Sequence, residues 1–197
     1  MRGGPEGNER LTAASGVVLF LLLAAEGVTI LFIRPLLSTH VFIGMLLIPP
    51  VALKIASTGW RFARYYRGSR EYVEKGPPLL PLRLLAPVVV LSTLAVFATG
   101  VGLLIRGPGQ GLLVGLHKAS FVVWLAATGI HVLAYVSRVP RMAIADWRPR
   151  RPSLDGAMSR RMLLAGSIVA GAVLALATIR YAHPWVLWQS AFNGHDG

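Results

Sequence analysis

The 197-residue chain contains no cysteine. That excludes disulfides, cysteine-ligated iron–sulfur clusters and thiolate metal sites, and it leaves the redox compartment open. Charge is scarce as well: only 14% of residues are charged, and Asp and Glu together number 8. A soluble domain of this length needs far more polar surface. Also missing are an internal repeat, a Walker loop, a nucleotide-binding glycine fingerprint and any nucleophile–base set, so intrinsic catalysis has no support.

What is present is apolar: 54% of the chain is hydrophobic. Roughly 20 helical residues cross a hydrocarbon core of about 30 Å. Five runs are long enough, near 11–33, 36–57, 86–106, 112–136 and 162–181. The first is too long, and too poor in a small-residue cleavage site, to read as a removed signal peptide. Arg34 and Pro35 are expected to turn span one into span two, and "RGPGQG" (106–111) to turn span three into span four. The expected fold is an all-α integral membrane protein, a four-helix bundle over 11–137 followed by a fifth transmembrane helix over 162–181.

The net charge of +12 could suggest nucleic acid, but its placement argues for topology. Residues 58–85 hold Arg61, Arg64, Arg67, Arg70, Lys75 and Arg83 against Glu71 and Glu74. Residues 137–161 hold Arg138, Arg141, Arg148, Arg150, Arg151, Arg160 and Arg161 against Asp146 and Asp155. Each hairpin turn carries one arginine, and no Lys or Arg follows Arg180. Cytoplasmic loops collect Lys and Arg. The expectation is therefore a multi-pass plasma-membrane protein with residues 1–10 and the basic loop 138–161 inside and the tail 182–197 outside. No nucleic-acid partner is expected. Arg61, Arg64, Arg67 and Arg70, with Trp60, Tyr65 and Tyr66, read as a helix end at an anionic inner leaflet.

Histidines are the unusual feature of the spans. His117 lies about five residues into span four, and His131 lies near its other end. Fourteen positions at about 100° each end about 40° short of four turns, so both rings share a face about 21 Å apart. His40 lies about five residues into span two, which runs in the same direction, so it matches His117 in depth. Two imidazoles facing each other across a bundle are what bis-histidine ligation of haem iron requires. The competing reading makes each histidine a hydrogen-bonding contact between helices. Gly44 and Gly115 could let a flat macrocycle approach the backbone, and Arg34, Arg106 and Lys118 could meet its propionates or simply snorkel to the interface. Trp124, seven residues from both His117 and His131, falls on the same face.

The stretches "HVFIGMLLIPPVALKIASTGWRFARYY" (40–66) and "LHKASFVVWLAATGIHVL" (116–133) resemble the bacterial membrane b-type cytochromes. That class includes cytochrome b561-like proteins, the di-haem bundle of quinol-oxidising cytochrome b and an actinobacterial-type membrane family. The resemblance covers roughly residues 11–137. It implies haem b as cofactor and electron transfer between a quinone or inner donor and an outer-face partner, within an oxidoreductase assembly. One departure stands out. Where a di-haem protein would carry its second span-two histidine, this chain has Lys54. A neutral lysine amine can ligate iron once deprotonated, so a second haem between Lys54 and His131 stays open, though Pro49 and Pro50 lie between His40 and Lys54 and could spoil the shared face. One haem is expected.

Glu26 is the remaining ionisable group in the spans, expected to face the bundle at the outer level, to be protonated, to bond a nearby Ser or Thr, or to relay protons. "SRRMLLAGSIVAG" (159–171) resembles a twin-arginine export signal, but only a short tail follows, so Arg160 and Arg161 are read as topology arginines. Trp185, Trp188 and Phe192 suit an interfacial segment, with His183 and His195 in solvent. A non-redox assembly or scaffold subunit, homo- or hetero-oligomeric, is the alternative; a transporter is disfavoured by the absent inverted repeat.

Overall fold

The computed structural model describes residues 4–76, 80–135, 144 and 155–193. Among them there is no strand. The elements are α1 (Gly4–Leu31), α2 (Ile33–Tyr66), α3 (Arg70–Glu74), α4 (Leu80–Arg106), α5 (Gly111–Tyr135), α6 (Ala157–Thr178), a 3-10 turn (Ile179–Ala182) and α7 (His183–Asn193). Five helices, α1, α2, α4, α5 and α6 with its continuation, are long and apolar enough to cross a membrane. Most of the basic loop 138–161 lies outside the described residues, as does His195.

The hairpin between α1 and α2 differs from expectation. Arg34 and Pro35 do not form the turn; they belong to the first turn of α2, where a proline lacks only a donor that had no helical acceptor. The break falls at Phe32 (φ −122°, ψ 44°), with a second irregularity at Leu36 (φ −107°, ψ 16°). The turn between α4 and α5 needs left-handed backbone at Gly107 (φ 75°) and Gly109 (φ 91°), which a side chain would resist.

Pro49 and Pro50 sit inside a continuous α2. Pro50 cannot donate to the carbonyl of Leu46, four residues back. Helix α6 approaches at that point. A Cβ on Gly171 would lie 2.2 Å from the Leu46 oxygen, so no side chain fits there. Two helix backbones approaching this closely through a small residue is the usual way membrane helices pack without a hydrophobic driving force.

This contact changes the expected architecture. The anticipated picture was a four-helix bundle with a fifth helix added; instead α1, α2 and α6 pack together, α6 lying along α2 as extensively as α1 does, while α4 and α5 form a separate hairpin. The two groups meet where Met45, Leu104, Ala175 and Ala182 bury one another. The tail reinforces the join: the Trp185 indole N–H donates to the Leu103 carbonyl (3.2 Å). Away from this end few contacts join the groups, the Arg83–Tyr66 hydrogen bond at the far end among them.

Polar groups lock α1 onto α2. Asn8 donates to the Ser57 carbonyl (3.0 Å), Thr12 to the Ser57 hydroxyl (3.0 Å), and Lys54 Nζ to the Thr12 carbonyl (2.5 Å). Nearer the helix end, Glu9 accepts from Arg61 (2.9 Å) and Lys75 (2.6 Å). Arg64 lies over the rings of Trp60 and Tyr72, so this end of α2 is aromatic and cationic together.

Candidate functional site: a histidine pair across a slot

Between the two helix groups runs a cavity of about 2380 Å³ with mostly apolar walls from α1, α2, α4 and α5. Ordinary small-ligand pockets fill roughly 300–1,000 Å³. The difference arises because α5 packs on α4 and makes no comparable contact with α1 or α2. Its remaining inward face borders open space.

His40 from α2 and His117 from α5 both line this slot, ring centroids 6.4 Å apart and planes at 80°. Each ring is held from its own side. The His40 Nδ1 lies 3.0 Å from a Glu26 carboxylate oxygen and 3.0 Å from the Thr29 hydroxyl, both on α1. Thr29 also donates to the Glu26 carbonyl (2.6 Å), which keeps the trio together. The His117 Nδ1 lies 3.0 Å from the Thr99 hydroxyl on α4, whose own bond to the Ala95 carbonyl (2.7 Å) fixes its rotamer. All these contacts use Nδ1, the nitrogen that commonly takes a positioning hydrogen bond when Nε2 is a metal ligand.

The other residues singled out from sequence divide into two sets. Glu26, Gly44, Lys54, His117, Lys118, Trp124 and His131 all line the slot, so the face shared by His117, Trp124 and His131 is as the fourteen-residue spacing anticipates. Trp124 stacks on Phe121 (6.0 Å, 28°). Arg34, Arg106 and Gly115 do not line it. Gly44 is near the Glu26 carboxylate (3.5 Å from a Cβ position), and Gly115 has nothing within 4 Å. The glycine that meets the His117 ring is Gly100 on α4, where a Cβ would sit 3.2 Å from the imidazole.

Nothing in the α4 sequence by itself marks Thr99 and Gly100, yet a signal for them exists. An antiparallel hairpin brings together residues equidistant from its turn, and Thr99 and His117 are each nine residues from Pro108. The same symmetry about Arg34 and Pro35 pairs Thr29 with His40 and Thr12 with Ser57.

Lys54 and His131 face the slot from α2 and α5 at its other level. The amine, however, is drawn toward α1: it binds the Thr12 carbonyl and lies 3.0 Å from where a Gly16 Cβ would be. Arg160, one of the twin arginines, is buried and donates to the Asp155 carbonyl (2.9 Å), an inward position for a residue expected at the surface. Trp185 and Trp188 reach the slot wall near the His40 end. No protein-family description, curated protein or solved structure matches this chain.

Proposed function

We propose that the protein is a membrane electron carrier that holds one haem b between His40 and His117. The observation that carries this reading is the histidine pair at 6.4 Å across an open apolar slot. Two opposed metal–imidazole bonds of about 2 Å, with about 1 Å from each nitrogen to its ring centre, put the centroids about 6 Å apart. Among the described residues no group of three or more His, Asp or Glu could hold a bare metal ion. A two-ligand site suits an iron whose other ligands come from a macrocycle.

In this reading haem supplies a one-electron iron couple when bound. His40 and His117 would hold the iron through their imidazoles, Glu26, Thr29 and Thr99 would fix their ring orientation, and the apolar walls would keep water from the centre. Lys118, which lines the slot beside His117, is the basic group placed to meet a carboxylate there. The Lys54–Thr12 bond supports a packing role for Lys54 and hence a single haem. The arginine content of the loops supports an inside N-terminus; a haem carrier in the plasma membrane would exchange electrons with a quinone or a redox protein.

A second reading has its own observation. Both histidines bond threonines on the adjacent helix, as interhelical contacts in a scaffold subunit would. That role does not account for the slot or for the two rings facing across it. A pyridine haemochrome assay on protein purified from haem-supplemented cells separates the two. One haem per chain supports the carrier; none at any supplementation leaves the scaffold.

A further inference from the structure

The slot continues past Lys54 and His131 to the arginine-rich end, where Arg61, Tyr66 and Arg83 border its mouth. The two arginines there differ. Arg61 is paired with Glu9 at 2.9 Å, a carboxylate it shares with Lys75. Arg83 donates to the Tyr66 hydroxyl, and among the described residues no carboxylate pairs with it. One uncompensated guanidinium, with a phenol beside it, therefore stands at the opening of an apolar channel. The flanking Phe62 and Leu84 are 63% and 67% exposed, so the channel is open sideways to whatever surrounds the helices.

Guanidinium groups bind phosphate through paired hydrogen bonds, and basic pockets between membrane helices take anionic headgroups. Free phosphate would use the cation and leave the adjoining apolar walls uncovered. A phospholipid uses both. We propose that Arg83 and Tyr66 hold the phosphodiester of an anionic phospholipid, with an acyl chain running between α2 and α4 into the slot. This site is separate from the histidine pair and does not depend on the haem reading.

The test uses the full-length protein in nanodiscs of equimolar phosphatidylglycerol and phosphatidylcholine, with the lipid retained after mild detergent extraction measured by mass spectrometry. Phosphatidylglycerol should be enriched about fivefold, the effect of roughly one uncompensated guanidinium at a membrane surface. Arg83→Gln should bring the enrichment close to unity. Arg70→Gln, which removes a side chain that is 90% exposed and paired with Glu74, should not change it. Equal retention of the two lipids by the unaltered protein would overturn the proposal, whether or not the variants fold. Full enrichment in Arg83→Gln, an equal loss in Arg70→Gln, or displacement by millimolar inorganic phosphate would do the same.

Discussion

His40 and His117 face each other across the slot at 6.4 Å, each fixed from behind by its own helical hairpin: one by Glu26 and Thr29, the other by Thr99. Neither hairpin needs the other to orient its ring. The chain thus builds two half-sites and brings them together at the buried contact of Met45, Leu104, Ala175 and Ala182.

The two half-sites differ in charge, which gives a first prediction. Glu26 presents a carboxylate to His40, whereas His117 meets a neutral hydroxyl. If His40 holds the iron, a carboxylate accepting from its imidazole would favour the oxidised state, so Glu26→Gln should raise the midpoint potential. Thr99→Val should leave the potential closer to the original. Each should weaken haem retention by about 10–100-fold, as loss of a supporting bond to a metal ligand does. Potentiometric titration and haem-transfer kinetics read the two effects; a lower potential in Glu26→Gln would contradict the assignment.

A second prediction concerns the other level of the slot. If Lys54 serves α1–α2 packing, Lys54→Met and His131→Ala should leave the haem-to-protein ratio unchanged. The stability cost should be small, since interhelical membrane hydrogen bonds average about 0.6 kcal/mol. A ratio of two in the unaltered protein, falling to one in either variant, would show a second haem.

Gly171 supplies a third. Because its Cβ position lies 2.2 Å from the Leu46 oxygen, Gly171→Ala must push α6 away from α2, at a cost of about 1–3 kcal/mol. Gly166, with nothing within 4 Å, is the control: Gly166→Ala should be close to neutral. Unfolding in mixed micelles would compare them, and equal stability of the two variants would mean that the close approach is not rigid.

The contrast between these residues shows what sequence could and could not reveal. Apolar run lengths sufficed for the five spans, and periodicity for the common face of His117, Trp124 and His131, because both depend only on helix geometry. The partners of the histidines depend on hairpin register, which is set by where the chain breaks. Counting outward from Arg34 and Pro35 does recover the Thr29–His40 and Thr12–Ser57 pairs, even though the chain breaks two residues earlier, at Phe32. The position of α6 was not legible at all. A long intervening loop puts no constraint on where the next helix docks, and the decisive feature is a carbonyl that Pro50 leaves without its helical donor.

Topology gives a fourth prediction. With the arginine-rich segments 58–85 and 137–161 inside, a reporter fused after Gly197 should score on the outer side of the membrane. A reporter placed at Gly68, between α2 and α3, should score cytoplasmic. The reverse pattern at both sites would invert the orientation and place the histidine pair near the inner face.

Whether the histidine pair binds haem can be read from a reduced-minus-oxidised visible spectrum of the purified protein. A low-spin b-type difference spectrum is expected, and it should disappear in both His40→Ala and His117→Ala while each variant still inserts into the membrane. An undiminished spectrum in both variants, or none in the unaltered protein isolated with haem in excess, would contradict haem binding by the pair.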